Sequence, residues 1–218
     1  MTKKERASII LEVLTELYPE PKAELNYTHD YEFLFAVIMS AQTTDIQINK
    51  LTDKLFIKYP TLQSFMDANL EELTTDMNSI GLYRAKAKNL KAAAKILIEQ
   101  FDSRVPNSVE LIMTIPGAAK KTANVVTGDY FNMNEGIAVD THVIRLSQNF
   151  GLTKHKDAIK IEEDLKKLFP KNHWGKMSLR IILYGRYYYP ARSVNHEGPL
   201  NHIVIIDNDK LGPKKSKK

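Results

Sequence analysis

Three short stretches of this chain combine residue types that can do chemistry. The first is Ile115-Pro116-Gly117-Ala118-Ala119-Lys120-Lys121-Thr122, a Pro-Gly turn of small residues between two short helical patterns. Small side chains let the backbone N–H groups of Gly117, Ala118 and Ala119 approach an anionic oxygen, and the second helix points its positive dipole end the same way. Lys121 stands at the start of that second helix. A lysine attacks as a nucleophile only in its neutral form, which a second cation at Lys120, a helix N-terminus and partial burial all favour. Taken alone, the turn is an ordinary link between helices and the Lys-Lys pair a solvated surface.

The second stretch is Ala138-Val139-Asp140-Thr141-His142. An aspartate that follows Ile137, Ala138 and Val139 lies near the interior yet begins a helix, so it reads first as an N-cap that accepts a backbone N–H. It can also serve as a carboxylate that stabilises an oxocarbenium-like cation or takes a proton from an amine. The two roles are compatible, because the cap can orient the carboxylate. The third stretch, Ser40-Ala41-Gln42-Thr43-Thr44-Asp45, is polar and follows a greasy helix, so Gln42 can project into a groove. On its own it is a helix terminus.

Helices must position these residues. Ile10, Val13, Leu14 and Leu17 line one face of a helix over about 3–18, stopped by Pro19 and Pro21. Residues 31–41 are apolar nearly all round, as in a buried central helix. Ile48, Leu51 and Leu55 mark the next helix. Asn69 with Glu72 predicts a capping box for a short helix near 70–77, and Ala87 to Phe101 a long one over 84–101. Further helices are expected at 109–114, from Lys120 through Val126, at 141–150, around Ile159–Leu168, and over 174–187. Only Ile203 to Ile206 is β-branched enough to suggest a strand. The fold class is all-α.

Composition narrows the chemistry. The 218 residues are 43% hydrophobic and 26% charged, enough for one core or two small lobes. There is no Cys, which excludes disulfides, thiolate metal sites, iron–sulfur clusters and cysteine nucleophiles. No signal-peptide pattern or membrane-length apolar run occurs, so an intracellular protein is expected. The net charge is +5, and residues 183–218 hold seven Lys/Arg against three Asp/Glu. This basic segment, ending Lys214-Lys215-Ser216-Lys217-Lys218, suits a polyanion or a solubilising tail.

Five segments in order resemble endonuclease III, a DNA glycosylase family of the helix-hairpin-helix superfamily: 40–45, Ile80-Gly81-Leu82-Tyr83, 115–126, Val139-Asp140-Thr141-His142 and Tyr184-Gly185-Arg186-Tyr187. The resemblance implies a two-lobed all-α fold with its active site in the cleft between lobes. A six-helix barrel lobe would cover 23–134, and residues 1–22 with 135–218 would form the other. It implies that Lys121 attacks the sugar C1′, displaces an oxidised or damaged pyrimidine from double-stranded DNA and forms a Schiff base, with β-elimination then nicking the strand. Asp140 matches the catalytic aspartate, and Gln42 and Leu82 match residues that wedge into the duplex. Gly117, Ala118, Ala119, Lys120 and Thr122 would grip the backbone without reading sequence. A monomer is implied, working away from membranes in the cytoplasm of a prokaryote, on the nucleoid, or otherwise inside a cell. The lysine separates this pattern from monofunctional relatives, and Ser40-Ala41-Gln42 lacks the glutamate of the adenine-removing branch.

Two departures from the family pattern bear on function. The family commonly carries four cysteines near the C-terminus that hold a [4Fe–4S] cluster, and this chain has none, so no cofactor is expected. Arg192 and the Lys-rich tail are then candidates for the DNA contacts that the cluster loop supplies, with Tyr187 to Tyr189 packing the region in place of metal. His196, His202 and Asp207 are too scattered to predict a zinc site. The second departure is Ala119, where the hairpin usually has Gly: it is strained if it needs positive φ and nearly neutral if it already begins the helix. The rival readings are a non-catalytic helix-hairpin-helix module and a glycosylase of different lesion preference.

Overall fold

Caps and breakers set the ends of the helices. Thr2 opens α1 (Lys3–Leu17) with a reciprocal pair: its hydroxyl accepts the Glu5 N–H at 3.2 Å, and its own N–H donates to Glu5 Oε2 at 2.7 Å. The computed structural model describes residues 1–191 and 197–205, and among these it has eleven α-helices and no strand. Backbone contacts divide the chain into two units, Ala23–Met133 and Met1–Lys22 joined to the chain from Asn134 onward. The boundary is local and physical. The Met133 N–H donates to Thr127 O at 2.8 Å, whereas Asn134 Oδ1 accepts the Gly175 N–H at 3.0 Å.

The Ala23–Met133 unit is built on α2 (Asp30–Met39). Every residue from Tyr31 to Met39 is buried, and the helix packs against α3 (Asp45–Lys58), α6 (Tyr83–Gln100) and α8 (Lys120–Val125). Phe33, Leu34, Phe35 and Met39 are fully enclosed, each contributing roughly 1.5–3 kcal/mol of transfer free energy. Two further short helices, α4 (Leu62–Asp67) and α5 (Leu70–Asp76), lie against α6, and α7 (Val109–Ile112) against α8. The unit thus holds seven α-helices, against the six expected, because extended Ala68 separates α4 from α5. Asn69 caps α5 by accepting the Glu71 and Glu72 N–H groups at 2.9 and 3.2 Å. Glu72 does not complete the predicted box; its carboxylate pairs with Lys58 at 2.7 Å.

The other unit has its own core, in which Ile10 and Leu14 of α1 meet residues of α9 (Thr141–Asn149), α10 (Ala158–Leu168) and α11 (Trp174–Tyr187). Two buried arginines join its distant chain segments. Arg6 donates from Nε to Phe150 O at 2.8 Å and from Nη2 to Gly151 O at 3.1 Å. Arg180 donates from Nε to Tyr18 O at 2.9 Å and from Nη2 to Pro19 O at 2.9 Å. These charge-assisted bonds satisfy carbonyls at helix ends that no intrahelical N–H reaches. The β-branched stretch near 203 is not a strand. Asn201–Ile203 forms a 3-10 turn, because Ile203 is drawn into the core and no neighbouring strand offers a ladder. Ile206 lies outside the described residues.

Candidate active site

Both residues expected to enter DNA hold the same unusual backbone. Gln42 and Leu82 are exposed, and each has φ 58°, in the left-handed region. For a residue with a Cβ that conformation costs about 1–2 kcal/mol, and it persists where surrounding contacts impose it. Those contacts are visible. Gln47, in the first turn of α3, donates its side-chain N–H to Ser79 O, tying the two loops together. The Gln42 carbonyl oxygen lies 3.9 Å from the place a Gly81 Cβ would occupy. From α6, Lys86 reaches across with Nζ to donate to Ala41 O at 2.7 Å and Thr43 Oγ1 at 3.3 Å. Lys86 is 4% exposed, and burial pulls its pKa down from the usual lysine value.

The hairpin follows α7. Gly117 has φ 86°, and a Cβ there would stand 3.0 Å from both Asn89 Nδ2 and Ile38 Cγ2. Glycine is therefore required twice, by conformation and by the close approach to α2 and α6. Ala119 is different: its φ of −83° and ψ of 171° are extended, and it is the N-cap of α8. The departure from the family's glycine therefore carries no backbone strain. Ala119 offers no side-chain acceptor to the first turn of α8, so the turn depends on outside partners more than a Ser-capped helix does. Lys120, Lys121 and Ala119 are exposed, Thr122 is half-buried and Ala118 is buried. Among the described residues nothing pairs with the Lys121 ammonium. Past Val125 the helix widens into one π turn, Val126–Tyr130, a local irregularity often found near functional sites.

Asp140 belongs to the other unit. Its Oδ1 accepts the Val143 N–H at 2.8 Å, capping α9, while buried Ile137, Ala138 and Val139 hold the approach to the helix. The cap engages one carboxylate oxygen and so restrains the direction of the group. A Cβ on Gly185 of α11 would stand 2.9 Å from His142 Nδ1 and 3.1 Å from Leu146 Cδ1. Gly185 therefore lets α11 close onto α9 and sets the height of the turn that carries Asp140. Within the 184–187 motif, Gly185 serves this packing purpose.

This arrangement has close counterparts. Residues 35–171 match the HhH-GPD superfamily of base excision DNA repair proteins. The chain belongs to that superfamily. This HhH-GPD protein is 44% identical over 191 residues to the endonuclease III of Synechocystis sp., an alignment covering 88% of this chain and 87% of that one. It is 39% identical to the endonuclease III of Bacillus subtilis, covering 84% of each. A solved structure described as a trapped endonuclease III–DNA covalent intermediate superposes with a TM-score of 0.87 at 36% identity, covering 97% of this chain and 99% of that one. The fold is the all-α fold of these glycosylases. The chain is an enzyme, a DNA glycosylase of base excision repair.

The [4Fe–4S] cluster implied by the endonuclease III resemblance does not fit the residues present. The chain has no cysteine to ligate it, and the described part of the corresponding region is packed with side chains. Tyr184 is fully buried, its Oη accepts the Leu200 N–H at 3.1 Å, and its ring stacks 5.4 Å from that of Tyr188. Leu200 is fully buried, Ile203 is 2% exposed, and the Ile205 N–H donates to Asn149 O at 2.9 Å. No group of three His, Asp or Glu side chains among the described residues is placed to hold a metal ion. His202 is exposed; Arg192, His196, Asp207 and the Lys-rich tail lie outside the described residues. No described helix is long and apolar enough to cross a membrane.

Sequence reasoning missed Lys86. Its only local signal is a lysine beside Ala87 at the edge of the buried face of α6, and its partners are 43 and 45 residues away.

Proposed function

We propose that this glycosylase is bifunctional, removing oxidised or otherwise damaged pyrimidines from double-stranded DNA and then cutting the abasic strand. The lone pair of Lys121 Nζ attacks C1′; the C1′–N bond breaks, and the base leaves with its electron pair and takes a proton. Ring opening gives a Schiff base between Lys121 and the sugar. Loss of a C2′ proton then expels the 3′ phosphate by β-elimination, and water releases the lysine. Asp140 stabilises positive charge at the sugar as the base departs, with its orientation set by the cap on α9.

The observation that carries this reading is the exposed, unengaged Lys121 in the first turn of the helix behind a glycine-requiring hairpin. Together with Asp140 it argues against a module that only holds phosphates, because a carboxylate would repel them. Gly117, Ala118, Ala119, Lys120 and Thr122 form the sequence-independent grip on the backbone, while Gln42 and Leu82 fill the gap left by the extruded nucleotide. Arg192 supplies a further phosphate contact. The enzyme acts as a monomer inside a prokaryotic cell, on the nucleoid, and needs no iron–sulfur cluster or other cofactor.

Borohydride reduction tests the lyase step directly. Wild-type protein incubated with a duplex containing one abasic site and then reduced gives a covalent adduct; Lys121→Ala gives none. No adduct with wild type overturns the lyase mechanism. An undiminished adduct with Lys121→Ala overturns the choice of nucleophile. A panel of duplexes with different oxidised bases then fixes the lesion preference, and iron-free protein of full activity checks the cofactor reading.

A further inference from the structure

Gln42 and Leu82 lie on separate loops, 40 residues apart in sequence, and share one strained backbone conformation. Lys86 touches both loops. Its own N–H donates to Leu82 O at 3.0 Å, as the first turn of α6 requires. Its side chain runs the other way, and its ammonium donates to Ala41 O and Thr43 Oγ1, the residues on either side of Gln42. We propose that Lys86 is a positioning residue for base extrusion, whose buried ammonium locks the 40–44 and 79–82 loops so that Gln42 and Leu82 enter the duplex together. This rests on the glycosylase reading above, in which those two residues are the wedge.

The chemistry of the group supports this role over simple packing. Lys86 sits 4% exposed beside fully buried Ala87 and one turn before fully buried Leu90, at a position where an aliphatic side chain would fill the space without desolvating a charge. What an aliphatic chain cannot do is donate to two acceptors at once. The ammonium has three donors on one atom, so it can hold a backbone carbonyl and a hydroxyl at fixed separation across Gln42. A wedge pushed against stacked bases needs such bracing. A loop free to relax out of the left-handed conformation would yield before the base does, and binding free energy would be lost to ordering it. The link between Gln47 and Ser79 closes the same two loops from the side of α3, so the pair behaves as one body.

The test separates extrusion from chemistry. In Lys86→Met the stem and volume remain and the donors go. On a duplex containing one thymine glycol, single-turnover base release is expected to fall about tenfold or more, as for loss of one charge-assisted contact realised during extrusion. Fluorescence of a 2-aminopurine placed beside the lesion, which rises on unstacking, falls with it. Borohydride trapping on a preformed abasic site, where no base needs to be displaced, drops far less, and Lys86→Arg restores part of the base release. In a Leu82→Ala background, Lys86→Met adds little, because the wedge it braces is already gone.

Equal release rates for Lys86→Met and wild type overturn the proposal, as does a parallel loss of release, trapping and thermal stability, which marks a purely structural residue. If Lys86→Met does not fold, Thr43→Val removes one of the two acceptors from outside the core; it is expected to show the same split at smaller size, and an unchanged release rate counts against the proposal. Absence of trapping in wild type would instead fail the lyase reading, so the two failures are distinguishable.

Discussion

The two units handle their functional residues in opposite ways. In the Ala23–Met133 unit, Gln42, Leu82 and Gly117 all have positive φ, and they stand on loops braced by a buried core. In the other unit, Asp140 has ordinary extended backbone and is held by a helix cap, one of the cheapest devices available for aiming a carboxylate. The difference follows from what each must do. On the proposed function, wedge and hairpin hold shape against a ligand that resists, which fits the positive φ that packing imposes on them. The carboxylate needs only a fixed direction, which one hydrogen bond supplies. The same contrast appears in assembly: α2 organises its unit from the centre, whereas the other unit joins distant chain ends through Arg6 and Arg180.

Substitutions can break this contrast, and the largest effect is expected at Asp140. Asp140→Asn keeps an oxygen for the Val143 N–H but removes the charge. Base release should fall by about 100-fold or more while the melting temperature barely moves. Asp140→Ala loses both functions and costs about 1 kcal/mol of stability in addition. If Asp140→Asn keeps full activity, the cap is all that Asp140 does. Gly117→Ala comes next, since it places a Cβ at φ 86° against Asn89 and Ile38. Strain and overpacking together should cost about 2–4 kcal/mol, read by denaturant unfolding, with DNA affinity falling as well.

Asp129 offers a pH-dependent test within the wedge unit. Burial pushes its pKa up to about 7, so the fold favours the protonated acid. Its contribution is fully present below the unfolded aspartate value of about 3.9, is lost as pH rises toward 7, and is absent above. Asp129→Asn, neutral throughout, should flatten the stability profile across that window and raise the melting temperature at pH 8 by about 5 °C. A wild-type profile that is already flat there would contradict the assignment. The smallest effect belongs to Ala119→Gly. Because Ala119 is already extended, restoring the glycine should change stability by no more than about 0.5 kcal/mol and leave the hairpin's grip on DNA unchanged. A large gain in affinity would mean that the hairpin adopts a different backbone on DNA.

Much of the architecture was legible residue by residue. Pro19, Pro21, Asn69 and Asp140 mark helix ends because their effects are local: a missing N–H, or a side-chain oxygen within three residues of its donor. The unbroken apolar run 33–39 announced the central helix for the same reason that it is buried, having no polar face to show to water. What escaped had no local signature. The six-residue α4 is too short for a period to emerge, although Thr61 and Ser64 cap it. Glu72 was expected to fold back on Asn69, but Lys58 of α3 lies close enough to claim it. Near Ile203, β-branching argued for a strand, yet a strand needs a partner and the core offered only a pocket for one side chain.

The sequence by itself determined the helical class, the hairpin turn and the aspartate cap, since each depends on residues within a few positions of one another. It also determined the absence of thiolate ligands and the order of motifs, because composition and order need no fold to be read. The tertiary structure decided that a Cβ is costly at Gly117 but not at Ala119, that Gly185 lies at the close contact of two helices, and that the Lys86 ammonium reaches Ala41 O and Thr43 Oγ1. Those facts rest on what stands within about four ångströms across the fold, from chain dozens of residues away, and packing alone chooses such neighbours.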